Sequence, residues 1–122
     1  METGKRVILL GASPKPFRYS HIAVKMLSNN GHEVWPLGRQ EGEIAGNTIQ
    51  TELPGWDNAD TVTVYLRPEN QEKYYESVFQ YNPRRIIFNP GTENPEFKKL
   101  AEEKGVKVLE HCTLEMMEAG VF

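Results

Sequence analysis

The chain has 122 residues, 39% of them hydrophobic and 25% charged, and its formal net charge at pH 7 is −3. These values predict a single soluble domain, residues 1–122, and exclude a broad nucleic-acid surface. No apolar run is long enough to cross a membrane, the first residues lack a signal-peptide core, and the single cysteine excludes an internal disulfide, so we expect a cytoplasmic protein.

The first 30 residues predict a strand, a tight turn and a helix. Arg6–Leu10 is a short apolar run, and the glycine and two prolines of 11–18 prevent either a strand or a helix there. From Tyr19 to Leu27 apolar residues recur at helical spacing, and Gly31 is placed to end the helix. The backbone N–H groups and the positive dipole end of such a helix favour a bound phosphate.

Four later runs rich in β-branched or aromatic residues predict strands covered on both faces: 32–37, 61–66, 85–88 and 106–109. Helical patterns cover 68–82 and 94–105, and Thr113 is predicted to cap a last short helix. The link 38–60 has no helical period and is predicted to be an irregular crossover, with a short strand near Ile44 or Ile49.

The alternation of strands and helices predicts an α/β fold, a three-layer Rossmann-like doubly wound parallel sheet of about five strands. Right-handed crossovers favour the strand order 3-2-1-4-5. Ligands bind such sheets beyond the carboxyl ends of the strands. The predicted loops at those ends are 11–18, 37–39, 66–68, 89–94 and 110–113.

The loop after the first strand matches no standard phosphate fingerprint. Of the pattern G-x-G-x-x-G only Gly11 is present, with Ser13 and Pro16 at the other glycine positions. A P-loop and a hydrolase nucleophile elbow are also excluded. The residues that favour phosphate binding over a purely structural turn crowd the helix start: Lys15, Arg18, Tyr19 and Ser20.

The second strand ends without the acidic residue that an NAD site uses to hold the ribose. Arg39 is found there instead. It is interpreted either as a residue that binds a phosphate on the ribose, as in NADP or coenzyme A (CoA), or as a solvated surface charge. Arg67, after the third strand, reaches either the ligand or solvent. Pro90 and Gly91 form a turn that lets a ligand approach the backbone closely.

No catalytic or metal-binding residue is predicted. Glu93 lacks a partner carboxylate or nucleophile, so a solvated or capping role is favoured. His111 and Cys112 are adjacent but lack a third group to orient them, so a small buried thiol is favoured over a nucleophile. No pair of histidines or cysteines has metal-ligand spacing.

In order and spacing, these motifs resemble the small stand-alone CoA-binding domain proteins. Those proteins share the Rossmann-like fold of the CoA-binding domain in succinyl-CoA synthetase α subunits. The resemblance covers nearly the whole chain. It is carried by Gly11–Pro14, Arg18–Ser20, Gly31–Leu37, Gly46, Asp60, Arg67–Pro68, Asn89–Asn94 and Cys112.

The resemblance implies that the first loop and helix start hold the pyrophosphate. It places the adenosine side at Pro36 to Arg39, with Arg39 in place of the second proline and basic residue that the family often has there. It also implies that Pro68 and Asn89–Gly91 line the rest of the cleft. The catalytic histidine of the synthetases lies in another domain, so the resemblance implies binding and not ligation.

We therefore predict that the protein binds CoA or an acyl-CoA without catalysis. The predicted cofactor-binding residues are Gly11, Ala12, Ser13, Lys15, Arg18, Tyr19, Ser20, Pro36, Leu37, Arg39, Arg67, Pro68, Asn89, Pro90 and Gly91. The alternatives are an NADP-binding oxidoreductase or redox sensor, and a partner-binding subunit with a vestigial nucleotide site. A homodimer or a protein partner is compatible with each, and Cys112 is a candidate for a mixed disulfide with the CoA thiol.

Overall fold

The structure, a computed structural model, describes residues 4–122, and its strands and helices alternate as predicted. Two 3-10 turns, Pro68–Asn70 and Glu72–Tyr74, precede the second helix. The elements are β1 (Arg6–Leu10), α1 (Tyr19–Asn29), β2 (Glu33–Leu37), β3 (Glu43–Ile44), β4 (Asn47–Thr48), β5 (Thr61–Val64), α2 (Tyr75–Phe79), β6 (Arg85–Phe88), α3 (Pro95–Glu103), β7 (Lys107–Glu110) and α4 (Thr113–Glu118).

Five of these strands form one parallel sheet in the order β2-β1-β5-β6-β7. The predicted α/β fold with a five-stranded parallel sheet is thereby confirmed. The predicted order 3-2-1-4-5 is wrong in one respect. Counted along the chain, the five strands follow the order 2-1-3-4-5, the other common doubly wound arrangement.

The cause of this difference is the link between β2 and β5. Gln50 forms an isolated parallel bridge with Leu37, in which its N–H donates to the Pro36 carbonyl and its carbonyl accepts from Gly38 N–H, both at 2.8 Å. The link therefore takes the outer edge of β2 that the third strand was predicted to occupy. All four residues of β5 are buried, as an interior strand requires.

Helices cover both faces of the sheet, each over its own core. One core lies under α1 and α4 and includes Val7, Leu9, Ala23, Val24 and Leu27. The other lies under α2 and α3 and includes Ile8, Leu10, Val62, Ile86, Phe88 and Phe97. No helix within residues 4–122 has the length and apolar character needed to cross a membrane.

Two helix ends form as the sequence predicts. Gly31 has a φ of +84°, its N–H donates to the Ser28 carbonyl, and the next N–H reaches Leu27, which ends α1 in a Schellman motif. At α3 the Asn94 side chain accepts from two backbone N–H groups, those of residues 96 and 97, at 3.1 Å.

The last helix begins differently from the prediction. Cys112 occupies the N-cap position of α4, without a side-chain cap hydrogen bond. Thr113 is the first helical residue, and its buried hydroxyl lies 2.8 Å from the hydroxyl of Thr63. The threonine therefore ties α4 to the interior strand β5 and does not cap the helix.

Candidate functional site

The loops that follow β1, β2, β5 and β6 surround a cleft of about 1090 Å³. It lies above the carboxyl ends of β1 and β5. The strand that follows β1 in the chain lies on one side of it and β5 lies on the other, and open α/β sheets bind ligands at such a switch in strand order. Most of the predicted site residues line it, namely Gly11, Ala12, Ser13, Lys15, Arg18, Tyr19, Ser20, Leu37, Arg39, Arg67 and Pro90.

Four predicted residues are not part of this lining. Pro36 is buried within β2, and Pro68 begins the first 3-10 turn. Gly91 lies in an exposed turn, where its N–H donates to the carboxylate of exposed Glu93 at 2.8 Å. Asn89 is only 2% exposed and points into the protein.

The Asn89 side chain joins three elements beneath the cleft. Its Nδ2 donates to the Thr63 hydroxyl at 2.7 Å and to the Val64 carbonyl at 2.9 Å, and its Oδ1 accepts from Thr113 N–H at 2.8 Å. Because both ends of the amide are satisfied within the protein, Asn89 positions the ends of β5, β6 and α4 and is not free to contact a ligand.

Some backbone N–H groups of the β1–α1 turn are hydrogen-bonded within the protein, and others are free to bind a ligand in the cleft. The N–H groups of Gly11 and Ala12 both donate to the Leu37 carbonyl at 2.8 Å, so neither is available to a ligand. Within residues 4–122, the N–H groups of Ser13 and of the first residues of α1 have no acceptor. Among the residues that the structure describes, no side chain caps α1 and no acidic residue lies in its first turn, so its positive dipole end is open.

Gly11 allows this turn to pass directly over β5. Its φ is +101°, and a Cβ there would lie 2.9 Å from the carbonyl carbon of Tyr65 and 3.0 Å from the nitrogen of Leu66. An L side chain would be strained at this φ and would also press on backbone that cannot move cheaply.

We therefore expect Gly11→Ala to lower the free energy of unfolding by about 2–4 kcal/mol, from the strained dihedral and the forced contact. Urea denaturation measures this loss. Gly55→Ala is the matched control, because a Cβ there meets nothing within 4 Å, and it should change stability by less than about 0.5 kcal/mol. Equal stability of the two variants would contradict the strain at Gly11.

The cleft is strongly positive although the whole chain is acidic. Five cationic side chains line it, and Glu69 is the single carboxylate, which gives a net charge of +4: Lys15, Arg18, Arg39, Arg67 and Lys73. All five are exposed, and the salt bridges found within residues 4–122 involve none of them. Cations gathered in a cleft without carboxylate partners attract a ligand that carries several negative charges.

Sequence reasoning missed the wall formed by the 3-10 turns, where Glu69, Asn70, Lys73 and Tyr74 line the cleft. One continuous helix was predicted over 68–82. The Gln71 side chain is fully buried instead, and its Nε2 donates to the carbonyls of Leu66 and Thr92. The sequence signal that could have indicated this was Gln71 itself, a polar residue on the face of the predicted helix that was expected to be apolar.

The other missed lining residues are Gly38, Gln40, Tyr65, Leu66 and Thr92. The Tyr65 hydroxyl is buried and has no hydrogen-bond partner within residues 4–122. Burial raises the pKa of this phenol above its ordinary value, and nearby Cys112 adds to the effect.

Cys112 is partly buried and does not line the cleft. Among the residues that the structure describes, no group of three or more His, Cys, Asp or Glu side chains is arranged to hold a metal ion.

Solved structures share this fold over nearly the full chain. A crystal structure described as an uncharacterized protein is 42% identical, with a TM-score of 0.93, covering 99% of this chain and all of the other. A hypothetical protein from Pyrococcus horikoshii OT3 is 27% identical, with a TM-score of 0.85, covering 95% of this chain and 83% of its own.

Among curated proteins, the uncharacterized protein YneT of Bacillus subtilis (strain 168) is 25% identical over 120 residues, which cover 98% of this chain and 89% of YneT. A family model described as CoA binding domain matches residues 5–118, which include every strand and helix from β1 to α4. On that match the chain belongs to the CoA-binding domain family.

Proposed function

We propose that the protein binds CoA or an acyl-CoA in this cleft, with the β1–α1 turn as the phosphate-binding element. Family membership supports CoA binding in general. The observation that carries the finer proposal is the set of five cations without carboxylate partners around the open start of α1.

The charge of the cleft complements that of CoA. The coenzyme carries a diphosphate, with about two negative charges, and a 3′-phosphate with about 1.5–2 more at neutral pH. The lining has a net charge of +4. We assign the diphosphate to Ser13 N–H, Lys15 and Arg18, and the 3′-phosphate to Arg39.

The composition of the cleft favours binding over catalysis. Its lining holds one carboxylate, Glu69, and neither a histidine nor a cysteine. The commonest general bases are histidine and carboxylate side chains, and beside its serines, tyrosines and lysines the lining offers Glu69 alone. We therefore propose a role in holding the coenzyme or in presenting it to a partner.

NADP is the second candidate, because Arg39 at the end of β2 also suits the 2′-phosphate of that cofactor. The absence of the second and third glycines of the dinucleotide fingerprint argues against it. The two ligands carry similar charges, so a direct comparison is needed to separate them.

Thermal unfolding with a ligand panel provides that comparison. A ligand that binds only the folded state raises the melting temperature, with about 2.7 kcal/mol of stabilisation at 100 times its Kd. We expect CoA at 1 mM to raise the melting temperature by several degrees, and NADPH and NADH to raise it much less. A larger shift with NADPH would favour the second candidate, and no shift with any of them would contradict both.

A further inference from the structure

Two of the most exposed large apolar side chains lie beside the cleft. Phe17 and Tyr19 are each 73% exposed, on either side of Arg18, and the only other large hydrophobic residue that is exposed within residues 4–122 is Val121. Isolated exposed rings are ordinary in soluble proteins. Tyr19 differs from Phe17 in that it lines the cleft among the cations.

We propose that Tyr19 is the platform on which the adenine ring of the bound nucleotide stacks. This inference rests on the proposed function and adds the position of the base. Tyr19 is the first residue of α1 and directly follows Arg18, which is assigned to the diphosphate. In CoA a single ribose joins the diphosphate to adenine, so the base must lie close to the start of α1.

The segment after β2 lies on the same side of the cleft. A Cβ on Gly38 would collide with the Ala12 carbonyl oxygen, and one on Gly42 would be 2.8 Å from Pro14 Cβ. The 38–42 segment is therefore in close contact with the turn that leads to Tyr19. Arg39, assigned to the 3′-phosphate of the same nucleotide, lies within that segment.

Adenine fits an exposed tyrosine ring better than the other two possible occupants do. A protein-docking surface needs a larger continuous apolar patch than two rings separated by an arginine. The pantetheine arm is flexible and offers no flat face, and the lining that follows β5 and β6 provides Leu66, Tyr74 and Pro90 for it. Base stacking on an aromatic side chain needs only one open face of the ring, which Tyr19 has.

The test compares two fragments of the coenzyme. Adenosine 3′,5′-bisphosphate keeps the base, and 4′-phosphopantetheine keeps the arm. Isothermal titration of wild type and Tyr19→Ala is done with CoA and with each fragment. We expect Tyr19→Ala to weaken CoA and the bisphosphate by about 5- to 100-fold and to change phosphopantetheine by less than about twofold. Tyr19→Phe, which keeps the ring, should bind like wild type.

Phe17→Ala is the matched control, because Phe17 is equally exposed but lies outside the cleft. The Arg18 Cζ lies 5.6 Å from the centre of the Phe17 ring, a cation–π contact of modest strength, so we expect a change of no more than about threefold. Because both rings are exposed, neither truncation should lower the melting temperature measurably.

Each other outcome rejects the inference. If Tyr19→Ala binds the bisphosphate as well as wild type does, the ring does not hold adenine, and a loss confined to phosphopantetheine would assign it to the arm. If Tyr19→Ala changes the self-association of the protein but not its affinity for any of the three ligands, the ring is a docking surface. If wild type binds CoA but Tyr19→Ala is unaffected, the inference fails alone. If wild type does not bind CoA, the proposed function fails with it.

Discussion

Arg18→Glu is expected to lower the affinity for CoA by at least about 100-fold while the protein stays folded. Arg18 is the N-cap residue of α1, is exposed, and lines the cleft without a carboxylate partner within residues 4–122. Reversing its charge would remove the proposed charge-assisted hydrogen bond to the diphosphate, a contribution of about 1.5–3 kcal/mol, and would add repulsion at the same place. Isothermal titration with CoA at fixed salt measures the loss.

Lys25→Glu controls for the change in net charge. Lys25 is exposed on the same helix but is not part of the cleft lining. We expect it to change the affinity by less than about threefold, because exposed charges beyond the contact distance are screened by salt. Equal losses in the two variants, or a loss below about threefold for Arg18→Glu, would contradict a direct contact.

The second large effect is on stability. Asn89→Ala is expected to lower the free energy of unfolding by about 3–5 kcal/mol, although Asn89 follows a strand at the edge of a ligand cleft. Truncation leaves Thr113 N–H without its acceptor in the interior. It also takes one bond from the Thr63 hydroxyl and one from the Val64 carbonyl, which keeps the Asn89 backbone N–H at 3.4 Å, and each of these two lost bonds contributes about 0.5–1.5 kcal/mol. Each buried polar group left without a partner costs about 1–3 kcal/mol.

Urea denaturation of Asn89→Ala and Asn30→Ala tests this account. Asn30 also uses its side-chain amide, which donates to the Met26 carbonyl at 2.7 Å, but it is exposed to water. We expect its truncation to cost less than about 1 kcal/mol, because solvent replaces the lost bond. If Asn89→Ala were equally mild, the amide would not organise the interior.

The parts of the fold that sequence predicts correctly are those set by neighbouring residues. β1 and β6 have the predicted bounds, and Gly31 and the Asn94 cap end and begin their helices as expected, because each signal lies within a few residues. Strand order does not depend on such signals. It depends on Gln50 reaching the edge of β2, a contact between residues 13 positions apart that no local pattern indicates.

The contrast between local signals and contacts of distant residues also explains which part of the cleft was predicted and which part was missed. Gly11, Ser13 and Arg18 belong to one continuous segment, so the sequence places them together and the cleft contains all three. Lys73 lines the cleft from a 3-10 turn next to Gln71, whose buried side chain donates to the carbonyls of Leu66 and Thr92. Such a bond between distant segments is invisible until the chain is folded.

A crystal structure of the protein saturated with CoA tests the central claim most directly. We predict that the diphosphate lies at the start of α1, with its oxygens about 2.7–3.2 Å from Ser13 N–H and from the guanidinium of Arg18. Coenzyme bound elsewhere on the molecule, or an empty cleft at saturating CoA, would contradict the claim that this turn holds the phosphates.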